Sequence, residues 1–193
     1  MPTALCAGWQ PSERGAPMTD MQAAAAPRPA LAERLAQSAD GVLEQIAREY
    51  AVSTFDVVQA LPAEHRTIVP GTMFEKLMQE LTGWGEVLFI VHTPDIVLEC
   101  AGSIPPGSFS RGYYNLHGDS PIGGHLKAEN CTHIAFVSRP FMGRASRSLQ
   151  FFNAAGEAMF KIFVRRDKER NLLPQQLAMF DALRSRSEEQ RAA

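Results

Sequence analysis

Leu149-Gln-Phe-Phe152, Asn153-Ala-Ala-Gly156 and Ala158-Met-Phe-Lys-Ile-Phe-Val164 make up the stretch whose reading decides the fold. Two runs rich in aromatic and β-branched residues flank a four-residue connection that ends in glycine, which is the pattern of an antiparallel hairpin. The pattern recurs toward the N-terminus. Glu86 to His92 and Ile96 to Ala101 read as strands joined by the turn residues Thr93-Pro94-Asp95. Cys131 to Ser138 reads as a further strand and Arg66 to Val69 as a short one. The run from Glu86 to His92 is apolar on both faces, so a central strand covered on both sides is expected.

Helical periodicity lies at the two ends of this pattern. Leu31 and Leu35, then Val42, Leu43 and Ile46, then Phe55, Val58 and Leu61 recur at spacings of three and four, predicting three short helices after Ala30. The last two, Gly41 to Tyr50 and Ser53 to Leu61, are joined by a tight turn, with Ser53 placed to cap the second. Phe74, Leu77, Met78 and Leu81 mark another helix, and Leu173, Leu177, Phe180 and Leu183 a closing one with Pro174 in its first turn. Hairpins in the middle and helices outside define an α+β fold: a large antiparallel sheet, flanking helices and a small helix-turn-helix-like module. The expected division is a disordered tail over 1–29, a three-helix module over 30–65 and a sheet domain over 66–190.

Composition narrows the functions. The 193 residues carry a net charge of -2 and are 45% hydrophobic, which suits a packed core and supplies no global attraction for nucleic acid. Cys6, Cys100 and Cys131 form no C-x-x-C pair, so neither a disulfide framework nor a zinc ribbon is expected, and a reducing compartment is. No stretch has the length and apolarity of a membrane span or an export signal, so a cytoplasmic protein without membrane insertion is expected. The helix-turn-helix outline suggests DNA recognition, but its second helix, Thr54-Phe-Asp-Val-Val-Gln-Ala60, holds Asp56 and no Lys or Arg. Phosphates would meet the wrong charge, so these helices are read as a packed or partner-docking module and no nucleic acid partner is expected.

No H-E-x-x-H, P-loop, G-x-S-x-G or dinucleotide G-x-G-x-x-G motif occurs, so the common hydrolase and nucleotide-enzyme chemistries lack support. Chemistry concentrates instead in Arg111-Gly-Tyr-Tyr-Asn-Leu-His-Gly-Asp-Ser-Pro-Ile-Gly-Gly-His125. Tyr113, Tyr114, His117 and His125 each offer iron an oxygen or a nitrogen, and the glycines allow close approach to a flat ligand. The stretch reads as a binding loop more than a core strand. His92 and His133 fall in strand patterns where hydrogen-bonded wall residues are common, and Met142 and Met159 read as core filler.

Arg111-Gly-Tyr-Tyr-Asn-Leu-His-Gly-Asp119, Gly124-His-Leu-Lys-Ala-Glu-Asn-Cys-Thr-His-Ile-Ala-Phe-Val137, Pro140-Phe-Met-Gly-Arg144 and Ala158-Met-Phe-Lys-Ile162 together resemble the HutX/ChuX family of intracellular haem-utilisation carriers. Trp84-Gly85 and Arg166-Asp167 extend the resemblance, which runs from near Ala39 to near Leu183. It implies a cytoplasmic homodimer that captures haem after import and hands it to a haem-degrading enzyme, without being a catalyst. It further implies that Tyr113 is the axial ligand to the iron of ferric haem b, and that His92 and His125 take part in haem binding, with His125 as the alternate axial ligand. Arg111 and His117 are the remaining candidates for the haem site, and the chain without residues before Arg66 is expected to keep its haem absorbance. Two competing readings are a haem-degrading enzyme of haem oxygenase type and a haem-responsive regulator that uses the N-terminal helices.

Overall fold

The computed structural model describes residues 29–192, so the tail expected over 1–29 lies, but for its last residue, outside the described residues. The three expected helices form: α1 (Leu31–Gln37), α2 (Leu43–Tyr50) and α3 (Thr54–Ala60). Ser53 caps α3 as the sequence suggests. Its hydroxyl accepts from the Asp56 amide, while the Asp56 carboxylate accepts from the Ser53 amide, a reciprocal box that stops the preceding turn from fraying. After β1 (Arg66–Pro70) and α4 (Phe74–Leu81), the chain makes β2 (Glu86–His92) and β3 (Val97–Ser103). Three short strands follow, β4 (Gly107–Ser110), β5 (Tyr113–Leu116) and β6 (Gly124–Leu126). Then come β7 (His133–Phe141), β8 (Arg144–Phe152), β9 (Ala158–Phe163) and the closing helix α5 (Pro174–Ala192).

The large sheet has the order β1-β7-β8-β9-β2-β3, and β4-β5-β6 form a smaller sheet of their own. Every pairing is antiparallel. Register decides what each face of the large sheet carries. Phe136, Leu149, Ile162, Phe89 and Cys100 stand in one cross-strand row, and Ala135, Gln150, Lys161, Ile90 and Glu99 in the neighbouring row. Because side chains alternate along a strand, these two rows point to opposite faces. The first face is covered over most of its width, its aromatic and aliphatic residues packing with α4, α5 and Tyr114, Leu116 and Ile122 from the small-sheet region, while Leu98 at the β3 edge stays 56% exposed. The second is covered only in part. Helices α1 to α3 pack their apolar residues on Ala135, Val137 and Phe152, and beyond these Glu44 of α2 reaches Lys161 and His92. A helix of seven or eight residues is about 10–12 Å long, enough to cross only two or three strands spaced about 4.8 Å apart.

Four expectations are corrected. Strand β2 is covered on one face but only half covered on the other, where Leu88 and Ile90 are of intermediate burial, because the helices do not reach that end of the sheet. The strand expected over Cys131 to Ser138 instead runs from His133 to Phe141 and turns directly into β8, which begins at Arg144. Met142 stands at the tip of that hairpin, 81% exposed, and is not core filler. The stretch read as a binding loop holds β5 and the start of β6 with a loop between them, and its Tyr114 is fully buried in the main core.

Candidate functional site

The small sheet builds one half of the site. Arg111 and Gly112, at φ 51° and 76°, form a two-residue hairpin turn between β4 and β5 whose paired left-handed residues match the right-handed twist of the strands. Alternation on β5 then separates the two tyrosines. Tyr114 points into the core and meets Phe74 edge-on, while Tyr113 points outward and is 37% exposed. Gly107 is required where it stands, because a Cβ there would fall 2.2 Å from the Tyr114 ring.

Strand pairing brings His125 beside Tyr113. Asn115 opposes His125 across β5 and β6, and the ring centroids of Tyr113 and His125 lie 6.0 Å apart. Asn115 organises this corner: its Nδ2 donates to the carbonyls of Ser108, Ser110 and Tyr113, which fixes the amide so that Oδ1 faces His125 Nδ1 at 2.6 Å. The amide oxygen can only accept, so Nδ1 carries the proton and Nε2 keeps a free lone pair for a ligand. Lys127 Nζ lies 4.6 Å from the centre of the Tyr113 ring, a cation–π contact. Its own pKa is raised, chiefly by its hydrogen bond to Glu129 and that carboxylate's charge. His117 directly follows β5, its Nε2 3.1 Å from the Ser108 hydroxyl, and Arg111 is exposed at the turn.

His92 is placed elsewhere. It ends β2 on the half-covered face, with Nδ1 3.2 Å from Glu44 Oε2 of α2, whose other oxygen holds Lys161 of β9. Burial alone would push the Glu44 carboxyl upward, but the adjoining Lys161 ammonium, its hydrogen bond and His92 outweigh it and bring the pKa below its ordinary value. Lys161 is driven downward by its burial, which the Glu44 charge offsets only in part. This cluster lies at a cavity of about 410 Å³ walled by α2, β2, β3, β7, β8 and β9. Thus Tyr113 and His125 are neighbours, with His117 and Arg111 flanking β5, while His92 sits among Glu44 and Lys161 on the opposite face of the large sheet. His133 is a wall residue, its ring stacked on Phe55 at 4.4 Å. Asn115 and Glu44 were not singled out in the sequence. Asn115 stood in plain view between the tyrosines and His117, but its role depends on a cross-strand register that spacing does not encode.

Helix α3 is held in place by packing on its inner side. Thr54, Phe55, Val57 and Val58 are buried, so one side of the would-be recognition helix is spent on the sheet.

A large antiparallel sheet flanked by helices, with Tyr113 and His125 on a small second sheet, places the chain in the α+β class. Residues 67–183 match the family model for haem utilisation ChuX/HutX, and the chain belongs to that family. It is 41% identical over 160 residues to the intracellular heme transport protein HutX of Vibrio cholerae, a match covering 78% of this chain and 83% of that one. Among solved structures, a protein from Erwinia carotovora superposes with a TM-score of 0.81 at 45% identity, covering 83% of this chain and 99% of that one. The heme binding protein ChuX superposes with a TM-score of 0.77 at 42% identity, covering 82% and 99%.

Proposed function

We propose that this chain is a cytoplasmic haem carrier that captures ferric haem b after import and releases it to a haem-degrading enzyme. Family membership and the names of two relatives, a heme transport protein and a heme binding protein, support the reading. The observation that carries it is the Tyr113–His125 pair, in which an exposed phenol stands beside an imidazole held with Nε2 free. Tyr113 would take the iron as tyrosinate, with Lys127 and Arg111 as the cations that favour the anion, and His125 would serve as the alternate axial ligand. Such a site suits a carrier because a single hard anionic ligand grips ferric iron and loosens on reduction. His92, beyond the sheet, would contribute from the cavity side.

A homodimer is part of this reading. Leu88 and Ile90 are only half covered, and Val97 and Leu98 on the edge strand β3 are 55% and 56% exposed, which is apolar surface suited to a second copy. Among the described residues no helix is long and apolar enough to cross a membrane.

Titration with ferric haem followed by absorbance tests the proposal, with a saturable Soret band and tyrosinate charge-transfer features expected. Aerobic incubation of the complex with a reductant should return intact haem. A defined bilin product would replace the carrier reading with an enzymatic one.

A further inference from the structure

We propose that the β7–β8 tip and the turn over 166–172 form one docking surface, built for the acidic face of the protein that takes haem from this chain. The partner rests on the carrier reading, and the surface rests on the fold. Both loops lie at the same end of the large sheet. Strand β9 returns alongside β8, with Phe163 opposite Ser148, and the Val164 amide then donates to the Arg147 carbonyl.

Hydrogen bonds lock the two loops together while leaving their side chains outside. Asp40, between α1 and α2, accepts from the amides of Met142 and Gly143 at 2.8 and 2.7 Å. Arg139 returns the grip by donating to the carbonyls of Ala39 and Gly41, each at 2.8 Å. The Arg166 guanidinium ties tip to turn, donating to the Ala145 carbonyl at 2.6 Å and to the Arg170 carbonyl at 2.8 Å. Met142 and Arg170 have φ of 51° and 68°, two of the four non-glycine residues with left-handed backbone among the described residues. Such backbone is unfavourable for a residue with a Cβ and persists where its surroundings impose it, most often at functional positions.

The side chains on display set the partner's chemistry. Met142 is 81% exposed and Phe141 36%, Arg144 stands across from Phe141, and Lys168 and Arg170 are exposed on the adjoining turn. Asp40 and Asp167 are turned onto backbone amides and Glu86 is held by Arg165, which leaves Glu169 as the exposed anion of the turn. The sequence is polarised in the same sense: residues 139–172 hold eight of the 19 Lys and Arg but three of the 21 Asp and Glu. An apolar centre beside cations matches the Met, Phe and Arg enrichment of protein interfaces, and its complement is an apolar pocket ringed by carboxylates. A bilayer asks little of loop geometry, whereas these loops are locked, which favours a partner of fixed shape.

The test follows haem from the loaded full chain to the purified haem-degrading enzyme of the same cell and, in parallel, to excess apomyoglobin, by stopped-flow absorbance. Docking makes the first transfer rise with enzyme concentration and slow as salt is raised, while the second follows haem dissociation alone. Lys168→Glu combined with Arg170→Glu, and separately Met142→Asp, should slow transfer to the enzyme on the order of tenfold. Transfer to apomyoglobin and the melting temperature should not change. Fluorescence anisotropy of the haem-free chain with the enzyme judges the surface without haem. Weaker binding by the same variants upholds the surface even where a failed haem titration removes the carrier reading. The proposal is overturned if the variants transfer and bind as the wild type does, or if the enzyme takes haem no faster than apomyoglobin. It is also overturned if charge reversal spares the enzyme and instead releases the chain from phosphatidylglycerol vesicles, which would assign the surface to a membrane.

Discussion

The two faces of the large sheet treat their polar groups in opposite ways. Above one face, the small sheet presents Tyr113 to solvent and steadies His125 through Asn115, so the reactive atoms are open and only their orientation is fixed. On the other, Glu44, Lys161 and His92 are drawn together under α2, where Glu44 and Lys161 neutralise each other and the packing of α1 to α3 on Ala135, Val137 and Phe152 holds them. An open pair loses little stability when altered and much ligand affinity. A buried pair does the reverse, because removing one member leaves the other charged in a poorly solvated place.

The largest effect expected from that contrast is in Glu44→Ala, which strands Lys161 and should cost roughly 3–5 kcal/mol of unfolding free energy in a denaturant titration. The pH dependence has a definite sign. Because the folded Glu44 carboxyl titrates below its ordinary value of 4.5, its contribution is fully present above that pH and is lost as the pH falls through the lower folded value. Acid unfolding of the wild type should therefore begin below about pH 4.5, and Glu44→Gln should flatten that limb of the stability curve. An unchanged acid limb in Glu44→Gln would show that the cluster is not the clamp.

Gly107→Ala tests the seam between the small sheet and the core. The added methyl would drive into the Tyr114 ring, with an expected cost of about 1–3 kcal/mol measured by thermal unfolding. Haem affinity should fall with it, since Tyr113 and Tyr114 ride on the same strand.

Tyr113→Phe sharpens the open side. Haem affinity should drop by about tenfold or more, equivalent to about 1.4 kcal/mol, with loss of the ferric tyrosinate charge-transfer band and no change in melting temperature. If the spectrum persists in Tyr113→Phe and disappears in His125→Ala, the iron ligand is His125. The smallest effect belongs to Tyr114→Phe. Its hydroxyl is buried without a hydrogen-bond partner among the described residues, so stability should stay within about 1 kcal/mol and the haem spectrum should be unchanged.

Elements whose signals are local were legible from the residues alone. The cap at Ser53, the helix start at Pro174 and the strand from Glu86 to His92 appear where the spacing puts them. The β7–β8 hairpin was not, because Met142-Gly143 lacks the Asn-Gly signature of a two-residue turn and Pro140 discourages a strand. Met142 adopts φ 51°, and the Asp40 carboxylate accepts from the amides of both Met142 and Gly143, a clasp from a residue about a hundred positions away. The chain lacking residues before Arg66 keeps the small sheet that carries Tyr113 and His125 but loses α1 to α3. Such a chain would bare Ala135, Val137 and Phe152 and leave Lys161 without Glu44.

By itself the sequence determined the α+β class, the helical module, the tyrosine and histidine candidates and the family, because each is written in residues near one another or in a motif. Only the tertiary structure decided that Tyr113 faces out while Tyr114 is core, that Asn115 orients His125, and that His92 lies across the sheet with Glu44. Those facts follow from strand register, in which a shift of one residue reverses every side chain, and from how far three short helices reach.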